Sequence, residues 1–112
     1  MIYRQGDVLI MGVDDGRDDL RERSPEPRDE GRIVLAYGEV TGHAHAIADT
    51  HATLWRLAGD DRLLTVTGAE VALRHEEHDT IVIPPGTYLV RRQREYVPAA
   101  DESAPRSSYV AD

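Results

Sequence analysis

Short apolar runs of four to seven residues, separated by glycine, proline and acidic residues, predict a chain made of β-strands. The runs lie at 7–13, 33–37, 43–47, 53–57, 63–67, 70–75, 80–83 and 88–92. No part of residues 33–97 has apolar side chains at the i, i+3, i+4 spacing of an amphipathic helix. The pattern therefore predicts an all-β domain, a small barrel or sandwich of about seven or eight short strands.

Two stretches interrupt this pattern. Residues 14–32 contain many acids and arginines, two prolines, and almost no apolar side chain apart from Leu20. Such a segment cannot bury enough apolar surface to offset the entropy of ordering, so we predict a mobile charged loop. Residues 98–112 have a similar composition and predict a disordered tail. The 112 residues form one domain, in which 1–13 is the first strand region and 33–97 is the β-barrel core.

The chain is acidic, with 21 aspartates and glutamates, 13 basic residues and a formal net charge of −8. This charge argues against nucleic acid and membranes as partners, since both require clustered positive charge. The absence of cysteine excludes disulfides, thiolate metal sites and a cysteine nucleophile. No apolar run approaches the roughly 20 residues of a membrane helix, and the N-terminus lacks the apolar core of a signal peptide. We therefore expect a soluble cytoplasmic protein.

Four of the five histidines occur as two close pairs. His43 and His45 are two positions apart in a predicted strand, so both imidazoles point to one face and can chelate one ion. His75 follows Leu73 on the inward face of a later strand, and a turn can place His78 beside it. We interpret His43, His45, His75 and His78 as ligands of one shared metal site. The alternative is that the first pair is exposed and that the second is hydrogen-bonded within the core.

Neutral imidazoles, with or without a carboxylate, suit Zn, Fe(II), Ni, Cu(II) or Mn rather than Ca or Mg. If the metal is catalytic, Glu77 or else Glu76 is the best-placed general base, and hydrolytic or oxidative chemistry fits. The fifth histidine, His51, lies in the polar stretch Asp49-Thr50-His51 and is predicted to be a surface residue.

Three arginines occur around the end of the last predicted strand, in the run Arg91-Arg92-Gln93-Arg94-Glu95-Tyr96. They can hold a phosphate or carboxylate, or they can keep a strand edge from pairing with another chain. Because the protein has a net charge of −8, we favour the second interpretation.

The chain resembles the cupin family in a His-x-His strand that follows a glycine and in a proline–glycine turn late in a small β domain. The matching residues are Gly38, His43, His45 and Pro84-Pro85-Gly86. The resemblance implies a double-stranded β-helix with a metal ion held by histidines and a glutamate inside the barrel. The chain is also similar to small bacterial proteins of no established activity that share the Gly-His-x-His, His-x-Glu-His and Pro-Pro-Gly-x-Tyr layout.

Two main classes of function stay open at this point. The first is a small metal-binding β-barrel protein with a divalent transition metal and an unknown substrate. The second is a non-enzymatic interaction or assembly module, forming a homo-oligomer or binding a protein partner, whose histidines are structural. A third interpretation treats the strand Val8-Leu9-Ile10 and the acidic loop as parts of a co-chaperonin-like ring subunit.

Overall fold

The computed structural model describes residues 1–13, 23–38, 40–57 and 59–93, together with the backbone of two further strands at 95–98 and 107–110. These residues form an all-β structure, which confirms the predicted fold class. Ten strands build two antiparallel sheets, and two more form a separate hairpin. Within these ranges there is no helix that is long and apolar enough to cross a membrane.

Six strands form the larger sheet: β1 (Ile2–Gln5), β2 (Val8–Gly12), β3 (Ser24–Pro25), β6 (Ala52–Arg56), β7 (Arg62–Val66) and β10 (Gly86–Arg92). Their spatial order is β1-β2-β10-β7-β6-β3. The smaller sheet contains, in spatial order, β4 (Ile33–Tyr37), β5 (Ala44–Ile47), β8 (Val71–Arg74) and β9 (Ile81–Ile83). The separate hairpin pairs β11 (Glu95–Pro98) with β12 (Ser107–Val110).

The apolar core lies between the two sheets, because alternate side chains of each strand point inward. Ile10, Leu64 and Val90 of the larger sheet are buried against Ile47 and Leu73 of the smaller sheet, within one cluster. The arrangement is therefore a two-layer sandwich with its core in the middle.

The eight predicted strands are all present, with bounds that differ by at most two residues at either end. The sequence did not predict β1, β3, β11 or β12. Strand β1 was not predicted because its side chains do not alternate between buried apolar and exposed polar residues. Ile2 and Arg4 are exposed, and the buried residue is the polar Gln5. Neighbouring strands pair as hairpins in β4–β5, β6–β7 and β8–β9, and the cupin-like double-stranded β-helix stays a prediction.

The two segments predicted to lack regular structure are described only in part. Residues 14–22 lie outside the described residues, and so do 99–106 and 111–112. The remainder of the predicted loop, 23–32, contains the short strand β3, paired with β6. The predicted tail contains β12, paired with β11.

The favoured interpretation of the late arginines is wrong for Arg91 and Arg92, because β10 lies between β2 and β7 and is not an edge strand. Arg91 forms an ion pair with Asp61, at 2.7 Å from Nη2 to Oδ2. Arg92 forms one with Asp7, at 2.5 Å from Nε to Oδ2. Arg94 lies outside the described residues.

Candidate metal centre

The turn between β1 and β2 places three consecutive residues beside the histidines. Gln5 pairs with Val8, so Gly6 and Asp7 form a two-residue hairpin turn. Gly6 has a φ of 57°, a conformation in which glycine is favoured at the first central position of such a turn. Gln5 and Asp7, on either side of it, are both buried.

Three of the predicted ligands come together around this turn. The side chains of His45, His75 and His78 each offer a ligand atom, and these atoms all lie within 4.8 Å of one another. The ring centroid of His75 is 4.3 Å from that of His45 and 4.6 Å from that of His78. His45 is buried in β5, whereas His75 and His78 are half-buried in the segment that follows β8. We call these three residues the three-histidine cluster.

Gln5 determines which nitrogen of His45 is available to an ion. The Gln5 amide nitrogen donates to the carbonyl oxygens of Leu73 and Asp79, at 3.0 and 2.9 Å. Its oxygen therefore faces Nδ1 of His45, 2.8 Å away, and accepts a hydrogen bond from it. With the proton on Nδ1, a neutral His45 has its lone pair on Nε2. This is the type of outer-shell contact that orients metal-binding histidines.

Asp7 lies on the side of His45 that carries the lone pair. Its Oδ1 is 3.7 Å from Nε2 of His45, and the carboxylate is 4 % exposed. Its other oxygen, Oδ2, accepts a hydrogen bond from Nε of Arg92 at 2.5 Å. Arg92 thus compensates the buried charge, while Oδ1 stays directed at the imidazole.

Two imidazoles of the cluster, those of His45 and His75, favour the neutral form. Burial, with the neighbouring His75 ring as the second cause, lowers the pKa of His45 from 6.5 to about 4. The pKa of His75 is lowered by burial and by the adjacent His78. Neutral imidazoles are the form that binds metal ions, so the protonation state of these two residues at pH 7 suits metal binding.

His75 differs from His45 in its hydrogen bonding. Its Nδ1 accepts a hydrogen bond from the backbone amide of Glu77 at 3.0 Å. A neutral His75 with this bond carries its proton on Nε2. An ion can therefore bind its lone pair only if the Glu77 amide is displaced, and His75 is the ligand that has to rearrange.

Two glycines give the cluster its room. A methyl group added at Gly6 would lie 2.8 Å from Nε2 of His78 and 3.1 Å from Cε1 of His45. One added at Gly38 would lie 3.0 Å from Cβ of His43 and 3.4 Å from Nε2 of His75. Backbone without side chains therefore lines the cluster on two sides, where any larger residue would fill the space.

His43 lies outside the three-histidine cluster. It belongs to a second group of candidate ligands, with His75 and the exposed Glu76, whose ligand atoms also lie within 4.8 Å of one another. Among the described residues, Nδ1 of His43 is a buried nitrogen without a hydrogen-bond partner. Glu76 accepts a hydrogen bond from the Ala44 amide at 2.9 Å, which lowers the pKa of its carboxyl group.

The remaining predicted residues take other places. Glu77, the proposed general base, has a 65 % exposed side chain, with Oε1 3.9 Å from Nδ1 of His43. His51 lies apart from both groups, with Nε2 3.0 Å from the carbonyl oxygen of Glu70. Asp49 accepts a hydrogen bond from the Ala72 amide and so ties the end of β5 to β8.

Sequence reasoning missed Gln5, Gly6, Asp7 and Arg92. Gln5 and His45 are 40 positions apart and Arg92 and Asp7 are 85 positions apart, so no local pattern reveals these contacts. One signal was available: Gly6-Asp7 between two β-type stretches is typical of a hairpin turn. Recognition of this turn would have predicted β1 and would have drawn attention to the buried polar residues beside it.

The fold and the site together define a small two-sheet β protein with a three-histidine cluster at one hairpin turn. The chain belongs to a family described as a domain of unknown function, DUF8820, which residues 4–93 match. The matched region contains the hairpin turn, both histidine pairs and Arg92. No curated protein matches the chain, and neither does any solved structure.

Proposed function

We propose that this protein binds one divalent transition metal ion through His45, His75 and His78. The observation that carries the proposal is the convergence of three imidazole ligand atoms within 4.8 Å of one another. Metal–imidazole bonds are about 2.0–2.1 Å long, so ligand atoms around one ion lie roughly 3–3.5 Å apart. To hold an ion, the cluster therefore needs to contract by up to about 1.5 Å, and the Glu77 amide has to leave Nδ1 of His75.

Asp7 is the fourth donor in this proposal, although it has to approach His75 and His78, because it is not part of the group whose ligand atoms lie within 4.8 Å of one another. The 3.7 Å between its Oδ1 and Nε2 of His45 is close to the separation expected for two ligands of one ion. Three imidazoles and one carboxylate suit Zn, Fe(II), Ni, Cu(II) or Mn. Glu77, the general base predicted from the sequence, is exposed, and its role in proton transfer stays a prediction.

Elemental analysis of untagged protein tests the proposal, with the His45→Ala variant beside it. His51→Ala is the matched control, since it also removes one imidazole but lies outside the cluster. We expect about one equivalent of metal in the parent and in the control, and little in His45→Ala. Equal metal content in the two variants, or none in the parent after incubation with each candidate metal, would contradict the proposal.

The second candidate function is an interaction or assembly module with structural histidines. It is supported by the hydrogen bonds of Gln5, which join β1 of the larger sheet to His45 of the smaller sheet without any ion. This function predicts that the metals named above leave the melting temperature unchanged. The metal-binding function predicts a higher melting temperature for the parent, and no change for His45→Ala.

A further inference from the structure

A second feature of the molecule is a cavity of about 600 Å³ between the edge strand β4 and the loop that leads into it. Four guanidinium groups line it, those of Arg28, Arg56, Arg62 and Arg92. Only two carboxylates do so, those of Glu26 and Asp29. Because Arg92 is already paired with Asp7, the three other arginines give the lining an excess of one positive charge, in a protein whose net charge is −8.

The arginines are only partly neutralised by their neighbours. Arg56 and Arg62 share the single carboxylate of Glu26, at 3.4 and 3.2 Å. Arg28 donates to the carbonyl oxygens of Gly31, Asp49 and Ala52, and in the described part of the chain no carboxylate faces it. Each guanidinium has five N–H groups, and the contacts of Arg56 within the described ranges use only one of them.

We propose that this cavity binds a small anion, a molecule that carries a carboxylate or phosphate group. Guanidinium groups match these groups in charge and in planar, two-point geometry. The Val34 and Leu35 carbonyls hold Arg62 in place, so one of the charges is oriented before a ligand arrives. Arg56 has a 60 % exposed side chain, which is free to close over a bound anion.

The cavity lies next to the three-histidine cluster through Arg92. This residue lines the cavity, and its Nε donates to Asp7 while its Nη2 donates to the Tyr37 carbonyl oxygen. Asp7 in turn faces His45. A bound anion and the candidate metal would therefore both lie next to the Arg92–Asp7 pair. The anion site is nevertheless defined by residues of its own and does not depend on the metal.

Titration of metal-free protein, with NMR detection of the arginine Nε–H signals, tests the proposal. The probes are inorganic phosphate, which represents phosphate ligands, and succinate, which represents carboxylate ligands. We expect one of them to shift the Arg56 and Arg62 signals with saturation. Arg56→Gln should weaken this binding about tenfold, because one charge-assisted contact is lost. Glu26→Gln should strengthen it, because the competing carboxylate is removed.

Arg91→Gln is the matched control, since Arg91 is an exposed arginine of the same sheet that pairs with Asp61 outside the cavity. It should leave the affinity unchanged. The proposal is overturned if neither probe gives a saturable shift. It is also overturned if Arg56→Gln and Arg91→Gln weaken binding equally, which would show a general charge effect. Because no metal is present, neither result bears on the three-histidine cluster.

Discussion

Gln5 Oε1 lies 2.8 Å from Nδ1 of His45, and this contact leaves the lone pair of the imidazole on Nε2, the atom that faces Asp7. The two Gln5 amide hydrogens are held by backbone carbonyls of the segment that carries His75 and His78. One side chain therefore connects the three elements that form the candidate metal centre.

The first prediction concerns this glutamine. Gln5→Leu keeps all three imidazoles but removes the acceptor for His45 Nδ1, so the metal affinity should fall by about 10- to 100-fold. Competition against a chromophoric chelator measures the change. Gln93→Leu is the control, since Gln93 is exposed and accepts a hydrogen bond from Arg4 away from the cluster. Equal affinities for the two variants would show that Gln5 does not orient a ligand.

The second prediction separates backbone strain from contact with the cluster. Gly6→Ala places a methyl group 2.8 Å from Nε2 of His78, at a φ of 57°. Gly68→Ala has a similar φ of 78° but meets nothing within 4 Å, so it measures strain alone. Strain costs on the order of 1–3 kcal/mol in each. Urea unfolding should therefore show a larger loss for Gly6→Ala, and only this variant should also lose metal. Equal losses in unfolding free energy would show that the cluster tolerates the methyl group.

The third prediction is a pH dependence of the metal-free protein. The pKa of His45 is about 4 in the folded chain, against about 6.5 when the chain is unfolded. Between these values the unfolded state binds the additional proton, so the free energy of unfolding falls as the pH is lowered from 6.5 towards 4. The loss contributed by His45 should reach up to about 3 kcal/mol at the lower end.

Urea unfolding at a series of pH values measures this loss. His45→Gln should flatten the profile in that range, although not completely, because the pKa of His75 is lowered as well. His51→Gln, which removes an imidazole outside the cluster, is the control. A parent protein with constant stability between pH 6.5 and 4 would show that His45 is not buried in its neutral form.

The fourth prediction compares two ion pairs of β10. Arg92→Gln leaves the buried carboxylate of Asp7 without its partner, whereas Arg91→Gln leaves the carboxylate of Asp61, which is 31 % exposed. Loss of one partner from a buried pair costs about 3–5 kcal/mol, while an exposed pair contributes about 0–1 kcal/mol. Arg92→Gln should therefore lower the free energy of unfolding by several kcal/mol more than Arg91→Gln. Similar losses would mean that water reaches Asp7.

The strands were predictable because each one has an apolar inward face, as in Leu54 of β6 and Leu64 of β7. The alternation also placed Ala44 and Ala46 on the face opposite His45, where they pack with Val34 in a separate small cluster. Local pattern is sufficient for these features, since each depends on side chains two positions apart.

The composition of the site was only partly predictable. Both histidine pairs were identified, but the structure places His43 outside the group of the other three and places Oδ1 of Asp7 3.7 Å from Nε2 of His45. A two-residue turn has no apolar periodicity that a sequence pattern could reveal. The residues that contact it are determined by how the two sheets pack. Glu77 was predicted as a general base because it is close to the histidines in the sequence, but its side chain is exposed. Closeness along the chain does not determine whether a side chain is buried.

The most direct test of the central claim is to observe the imidazole nitrogens themselves. Long-range ¹⁵N–¹H NMR spectra of the histidine rings, recorded during a Zn²⁺ titration, report which nitrogens bind. If the three histidines bind one ion, we expect the signals of His45, His75 and His78 to change together and to saturate at about one equivalent of Zn²⁺. Nδ1 of His45 should keep its proton, and the ring of His51 should stay unchanged. Spectra in which the cluster does not respond, or responds no more than His51, would contradict the account.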